Sequence, residues 1–196
     1  MWAEPVSLNG VHGALVPLSH DHLGDLKEAT ADGNLHRLWY TSVPAAEQMS
    51  SEIDRRLGLL DSASMVPFTV LDAGGKAVGM TTYMNIDHAN RRLEIGSTWY
   101  RKSVQRTPLN TECKLMLLTH AFETLNAIAV EFRTHFVNHQ SRQAIERLGA
   151  RLDGILRAHM ILPNGTIRDT AVYSITAAEW PTVAANLQWK LDQPRG

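Results

Sequence analysis

"WYRKSVQRTPLNTECKLMLLTHAFE" occupies residues 99–123 and joins the end of a β-strand to a long amphipathic helix. Apolar side chains recur every three or four residues along its second half, which predicts a helix over 110–126. A polar turn lies between strand and helix, and it contains Arg101, Lys102 and Arg106. The N-terminus of a helix already carries partial positive charge. The added basic side chains therefore indicate either a site for a multiply charged anion, such as a pyrophosphate, or a solvated basic loop.

The composition excludes several classes of protein. The chain has 196 residues, 44% of them hydrophobic, and a formal net charge of -1. That charge gives no global attraction to nucleic acid or to a membrane surface, and no apolar run approaches the roughly 20 residues of a membrane span. The single cysteine, Cys113, cannot form a disulfide framework. Together with the lack of a signal-peptide pattern at the N-terminus, these observations predict a cytoplasmic protein.

Upstream of this segment the periodicity changes from helical to strand-like. A strand is expected over 11–18, followed by helices over 19–33, capped by Ser19, and 44–64, starting at Pro44. An alternating pattern on both sides of Gly74–Gly75 then predicts a hairpin of two strands, and a further strand is expected over 91–100.

Downstream, a β-rich run over 127–137 leads into a helix over 138–149 that ends at Gly149. Residues 151–176 read as a final hairpin, and 177–191 as a helical tail broken near Pro181. There is no internal repeat or linker. We therefore expect one α/β domain over residues 1–196 with a mainly antiparallel sheet.

The turn at 101–110 has the properties of an anion site. A helix start leaves several backbone N–H groups unpaired, and Asn110 or Thr111 is expected to cap it. It is no standard nucleotide loop, because the chain lacks a G-x-x-x-x-G-K-[ST] motif, and the glycines of "GGKAVG" (74–79) fall in a hairpin with no helix after it.

The chain resembles the GCN5-related N-acetyltransferases (GNAT), and within them the group that acetylates ribosomal-protein N-termini together with its relatives. Three segments carry the resemblance: "LEIGSTWY" (93–100) is similar to the central strand, "QRTPLNTECKLMLL" (105–118) to the loop Q/R-x-x-G-x-G/A with its helix, and "VNHQSRQAIERLGARLDGILR" (137–157) to the strand–helix–strand that follows.

The resemblance implies a GNAT-type fold, mixed and mainly antiparallel, in which two central parallel strands splay apart. It also implies acetyl-coenzyme A bound between those strands, 93–99 and 128–137. The pantetheine arm would pair with the backbone of Thr98, Trp99 and Tyr100 as an added strand does. Asn138 and Ser141 match the N-x-x-S of the family beside the thioester, and Arg142 is assigned by position to the outer phosphates.

The loop departs from the family pattern, since Pro108 and Asn110 stand where the family has glycine and a small residue. Proline offers no N–H and asparagine is bulkier. The pyrophosphate is then expected to meet the segment that begins at Gln105, through the backbone amides of Arg106, Thr107, Leu109, Asn110 and Thr111.

Attack of an amine on a thioester needs a group that removes a proton and one that returns a proton to the thiolate. By resemblance Glu94 is the expected base, with His159 as the alternative and Ser141 as the expected proton donor. Glu94 also has a structural role in many relatives. Trp39 and Tyr40 follow the first helix, where the family builds one wall of the acceptor pocket, although core packing explains them as well.

Other features have simpler readings. Cys113 is expected to be a buried small residue, and the histidine pairs at 20–22 and 135–139 do not bring three ligands together, so no metal is expected. Trp180 and Trp189 either cover the sheet or contact a second subunit, which leaves a homodimer or higher homo-oligomer open. The expected activity is acetyl transfer to a primary amine. The alternatives are an inactive coenzyme-binding domain and an acyltransferase that uses a longer acyl chain.

Overall fold

A computed structural model describes residues 2–193, and these residues form an eight-stranded mixed sheet with helices on both faces. The strands are β1 (Leu8–Asn9), β2 (Gly13–Pro17), β3 (Met65–Asp72), β4 (Ala77–Asp87), β5 (Arg92–Tyr100), β6 (Ala129–His135), β7 (Arg151–Ile161) and β8 (Ile167–Thr176). Their order across the sheet is β1-β2-β3-β4-β5-β6-β8-β7, and every pair is antiparallel except β5 with β6. The expected α/β class with a mainly antiparallel sheet is confirmed.

Five α-helices connect the strands: α1 (Leu23–Ala31), α2 (Met49–Asp61), α3 (Pro108–Thr119), α4 (His139–Leu148) and α5 (Trp180–Asp192). Ser19 caps the first helical segment as expected, but the first turn there is 3-10. The helix predicted to begin at Pro44 instead opens with a 3-10 turn over 46–48. Pro181 does not break α5 but lies in its first turn, where a missing N–H has no cost. Within residues 2–193, each helix is too short or too polar to cross a lipid bilayer.

Two apolar clusters sandwich the sheet. Helices α3 and α5 pack on one cluster, which includes Leu117, Leu187 and Val78. Helices α1 and α2 belong to the other, which includes Ile53 and Met80. Since successive strand residues point to opposite faces, β4 contributes to both clusters.

The parallel strands β5 and β6 are joined over only three residue pairs. Their register runs from Arg92 opposite Ala129 to Glu94 opposite Glu131, and no pairing continues beyond Glu94. On its other side β5 carries a bulge, because the register against β4 shifts between Gly96 and Trp99, and Ser97 has φ 47°. A bulge bends its strand and increases the local twist. The expected splaying of the two central strands is therefore confirmed.

Helix α3 begins two residues earlier than the periodicity predicts. Thr107 is its N-cap, not Asn110 or Thr111, and Pro108 takes the first helical position. Proline suits that position because its fixed φ is already helical. After Thr119 the helix continues as a π-helical turn over His120–Thr124. There Phe122 stacks on Trp180, with ring centroids 5.2 Å apart, so this tryptophan covers the core, whereas Trp189 is exposed.

Gly79 permits close contact between β4 and β5. A Cβ at this position would lie 2.2 Å from the carbonyl oxygen of Trp99. We expect Gly79→Ala to lower the free energy of unfolding by about 1–3 kcal/mol, measured by urea denaturation. In the control Gly58→Ala, on α2, the new Cβ meets nothing within 4 Å. This control should stabilise the protein by up to ~1 kcal/mol. Equal effects of the two changes would contradict the close approach.

Candidate active site

A cleft of about 160 Å³ opens where β5 and β6 diverge. Several of the residues expected to bind cofactor or acceptor share its lining, namely Thr98, Trp99, Tyr100, Gln105, Asn138 and Tyr40. The rest of the wall comes from the segment after α1 and from the start of α4. The fold thus brings to one place residues that lie up to 98 positions apart in the chain, from Tyr40 to Asn138.

The basic turn is less positive than its sequence indicates. The guanidinium of Arg101 donates to Asp32, at the end of α1, over 3.0 Å. Hydrogen bonds from Ser103 and from Arg101 lower the pKa of Asp32 to about 2. The charge of Arg101 is therefore neutralised within the fold, which disfavours a direct role for this residue in an anion site. The other two basic side chains of the turn, Lys102 and Arg106, are both exposed.

The turn is shaped by its own side chains. Gln105 Nε2 donates to the carbonyl oxygen of Tyr100 over 2.9 Å, which fastens the turn to the end of β5. Arg106 adopts a left-handed conformation with φ 62°, a region that glycine occupies at lower cost. The hydroxyl of Thr107 donates to the carbonyl oxygen of Val104 over 2.7 Å and accepts weakly from the Leu109 amide over 3.4 Å.

The first turn of α3 presents backbone amides toward this loop. The side chains of Leu109 and Thr111 are buried, so these residues can offer a ligand only their backbone. Asn110 is partly exposed. Because the first residues of a helix have no intrahelical acceptor for their N–H groups, the Asn110 amide remains available to an anion, whereas the Leu109 amide already donates weakly to Thr107. Pro108 removes only one of these donors. A second depression, of about 330 Å³, lies beside this turn and is lined in part by Thr107 and Pro108.

Asn138, Ser141 and Arg142 all make contacts within the fold. The Asn138 side chain accepts from the Ser141 amide over 3.1 Å and so caps α4. Arg142 donates to the Tyr173 hydroxyl over 2.9 Å and lies over the Phe136 ring. These contacts hold its guanidinium against β8, and its assignment to the outer phosphates stays a prediction. Ser141 is half-buried in the first turn of α4.

Glu94 is the last residue of β5 that pairs with β6, and it is 5% exposed. Its carboxylate accepts from Asn85 over 2.7 Å and lies 3.5 Å from Arg133. Burial raises the pKa of Glu94, while Asn85 and Arg133 partly oppose that shift. A buried carboxylate with a raised pKa, at the point where β5 and β6 separate, has the properties of a general base.

His159 lies on the exposed face of β7, where its Nδ1 is 3.0 Å from the Thr170 hydroxyl. No contact joins it to Glu94 or Ser141 within the described part of the chain, so the three residues proposed for catalysis do not form one hydrogen-bonded cluster.

Trp39 and Tyr40 form a small aromatic group beside the cleft. The Trp39 ring meets Tyr40 and His135 edge to face, at centroid distances of 5.5 Å and 5.4 Å. Trp39 is 52% exposed, which disfavours the core-packing reading for it. The segment after α1 thus reaches across the opening and contacts β6.

Lys114 is a feature that the sequence did not reveal. Its ammonium is buried between α3 and the sheet, where it donates to Thr98 over 2.9 Å and to Thr81 over 3.4 Å. No carboxylate pairs with it among residues 2–193. Burial lowers the pKa of Lys114 to about 8. The residue next to Lys114, Cys113, is buried as expected. Burial raises the pKa of its thiol to about 12, so the reactive thiolate form is disfavoured.

A metal site is not apparent in the described residues, where no three His, Cys, Asp or Glu side chains converge. The geometry is instead that of a split sheet, with a basic turn at one end of the split and a buried carboxylate at the other.

The family model of the acetyltransferase (GNAT) domain matches residues 14–151 of this chain. The chain belongs to the GNAT acetyltransferases.

Individual relatives agree with this GNAT membership. YdaF of Bacillus subtilis (strain 168), provisionally named a ribosomal N-acetyltransferase, is 33% identical over 106 residues, which are 54% of this chain and 57% of YdaF. The chain therefore spans little more than half the length of that curated relative. A GCN5-related N-acetyltransferase from Brucella melitensis is 31% identical, with a TM-score of 0.87 over 97% of this chain and 87% of its own. A provisionally named acetyltransferase from T. thermophilus is 34% identical, with a TM-score of 0.84 over 97% of this chain and 100% of its own.

Proposed function

We propose that this GNAT chain transfers an acetyl group from acetyl-coenzyme A to a primary amine, on a small molecule or a protein N-terminus, by direct attack in a ternary complex. The observation that carries the proposal is the opening between β5 and β6 beyond Glu94. Beyond this point the β6-facing backbone edge of β5 has no strand partner among residues 2–193, so an extended amide chain such as pantetheine can pair with it.

The residues around the opening fit a ligand of this shape. Residues Ile95–Tyr100 supply the open edge, and the turn at 105–110 supplies amides and the positive charge of Arg106 for the diphosphate. Bound acetyl-coenzyme A would supply the activated acetyl group. The chain would position the two substrates, exclude water from the site and transfer protons.

The acceptor must lose a proton before it can attack, because a free alkylamine has a pKa of ~10. Glu94 takes that proton, directly or through water, and its raised pKa suits the task. His159, exposed on β7, is the alternative base if the proton travels through a longer chain of waters.

Charge then develops on the thioester oxygen and on the departing sulfur. The bulge at Ser97–Thr98 interrupts the ladder with β4, and we assign to the backbone amides of Thr98–Tyr100 the stabilisation of the oxygen. Ser141, in the first turn of α4, is the proton donor that we assign to the thiolate. Positioning of the two substrates supplies much of the remaining acceleration.

Thiol release from acetyl-coenzyme A in the presence of a panel of primary amines tests the function. Turnover that depends on an amine supports it. Tight coenzyme binding without turnover on any amine would favour the inactive coenzyme-binding alternative. Faster transfer from propionyl or succinyl donors would favour the longer acyl chain. A homo-oligomeric state, a cytoplasmic location and the lack of nucleic-acid binding stay predictions.

Arg106 provides a test of the cofactor site. We expect Arg106→Ala to weaken coenzyme A binding about tenfold at low salt and less at high salt, because its exposed charge is screened. Isothermal titration at two ionic strengths measures this. The control Lys27→Ala removes the same charge from an exposed position on α1 and should leave the affinity unchanged. Equal losses of coenzyme A affinity in both variants would show that the effect depends only on net charge and that Arg106 is not part of the site.

A further inference from the structure

Two side chains with hydrogen-bond donors that lack acceptors among residues 2–193 lie on the neighbouring strands β6 and β8. His135 is the last residue of β6 and stands opposite Thr170 of β8, and Arg168 lies two residues before Thr170 on that strand. Residues two apart on a strand share a face, so His135, Thr170 and Arg168 lie on one side of the sheet. Trp39 packs on His135 from that side.

The tautomer of His135 follows from its hydrogen bond. Its Nδ1 accepts from the Val137 amide over 3.3 Å, and a neutral imidazole with an accepting Nδ1 carries its proton on Nε2. Burial and the nearby charge of Arg168 lower the pKa of His135, which favours this neutral form. The side chain is 5% exposed, and Nε2 is buried without a hydrogen-bond partner in the described part of the chain. A buried polar group of this kind has an energetic cost unless a ligand satisfies it.

Arg168 is the second donor. Its Nε donates to the Thr170 hydroxyl over 2.9 Å, while its terminal nitrogens have no hydrogen bond and no ion pair among residues 2–193. Burial lowers the pKa of Arg168, and the charges of Glu94 and Arg133 also act on it. Its guanidinium is therefore half-buried near the proposed base and lacks an anionic partner of its own.

The neighbouring charges are already paired. Glu131 of β6 binds both Arg92 and Arg133. Asp169 of β8 binds Arg157 of β7. Glu94 accepts from Asn85 and lies near Arg133. His159, also near Thr170, adds no negative charge. The pairing thus leaves one guanidinium in excess, that of Arg168.

We propose that Arg168 and His135 form an anion subsite of the acceptor pocket, so that the acceptor is an amine that also carries a carboxylate or a phosphate. This proposal rests on the proposed acetyl transfer, since it names the substrate class for the same pocket. A guanidinium and an imidazole N–H are matched to a compact oxyanion. The amine end of such an acceptor faces Glu94, and its anionic end reaches Arg168 beneath Trp39.

Acceptor pairs in which only one member carries the anionic group test the proposal: glycine against glycinamide, an aspartyl against an asparaginyl dipeptide amide, and phosphoethanolamine against ethanolamine, each compared at equal concentration of free amine. We expect the anionic member to have a kcat/KM about 10- to 100-fold higher, mostly through KM. The first two pairs report on carboxylate and the third on phosphate. Arg168→Gln should remove the preference, so that the anionic and neutral members of each pair have similar kcat/KM, and Arg168→Lys should keep part of the preference.

Arg151→Gln is the matched control, because Arg151 lies on the same hairpin, its side chain is 80% exposed and its partner Glu179 directly precedes α5. It should keep the preference. Equal or better turnover of the neutral members, or equal losses in Arg168→Gln and Arg151→Gln, would overturn the subsite.

A binding readout separates this proposal from the proposed function. Succinate or inorganic phosphate should shift the His135 Nε2 resonance in ¹⁵N NMR spectra of the wild-type chain and of Arg168→Lys, but not of Arg168→Gln. A saturable shift without amine-dependent turnover would retain the subsite and reject acetyl transfer. If the protein acetylates neutral amines but the His135 resonance does not shift, acetyl transfer is retained and the subsite is rejected.

Discussion

Glu94→Gln should lower kcat for amine acetylation by about 100-fold or more at pH 7, because general-base catalysis typically contributes 10²–10⁴-fold. Glutamine retains the shape and the acceptor for Asn85, whose amide lies 2.7 Å from Glu94, but it cannot take a proton. The wild-type rate should rise with pH through the raised pKa of Glu94, since only the carboxylate form acts as base. The variant should lack that rising limb, which steady-state kinetics from pH 5 to 9 will show.

Glu131→Gln is the matched control for this prediction. Glu131 is the direct neighbour of Glu94 across the β5–β6 contact and binds Arg92 and Arg133. Its loss should lower stability while the shape of the pH profile persists. If Glu94→Gln instead lowers only the free energy of unfolding and leaves kcat intact, Glu94 is a structural residue.

Lys114→Met should raise the free energy of unfolding by about 3 kcal/mol at pH 7. Burial lowers the pKa of Lys114 from 10.5 to about 8, so the folded protein carries this charge at a cost below pH 8. Methionine fills a similar volume without the charge. The Thr81 and Thr98 hydroxyls, 2.7 Å apart, still bond to each other after the change.

The pH dependence gives this prediction a second measurement. Between pH 8 and pH 10.5 the unfolded chain binds more protons at this lysine than the folded chain does. The free energy of unfolding of the wild type should therefore rise between pH 7 and pH 10 relative to that of Lys114→Met, because the variant lacks this contribution. Urea denaturation at pH 7 and pH 10 measures both effects. Lys27→Met, at an exposed position, is the control, and its free energy of unfolding should not change. A Lys114→Met variant less stable than the wild type would contradict the prediction and show that the buried lysine is paired favourably.

The periodicity of the sequence predicts the helices and most of the strands, because these patterns are local. It places the cap of α3 wrongly, since it treats Pro108 as a loop residue when it is the first residue of the helix. It also misses the two-residue strand β1, whose pairing with β2 has almost no local signal.

The candidate site shows the same contrast between features with a local sequence pattern and features that depend on long-range contacts. The residues around the cleft follow from motifs in one chain segment or the next, whereas the pairing of Arg101 with Asp32 cannot be predicted locally, because the two residues are 69 positions apart. His135 and Arg168 come together only through the pairing of β6 with β8. Lys114 resembles any surface lysine until the packing of α3 on Thr98 is known. Contacts of this range depend on tertiary structure and leave no short-range pattern.

Only three residue pairs between β5 and β6 join the two parts of the sheet, which are β1–β5 and β6–β8. A thioester cofactor bound between β5 and β6 would continue the backbone hydrogen bonding where these two strands separate. The melting temperature should then rise with the cofactor concentration by mass action.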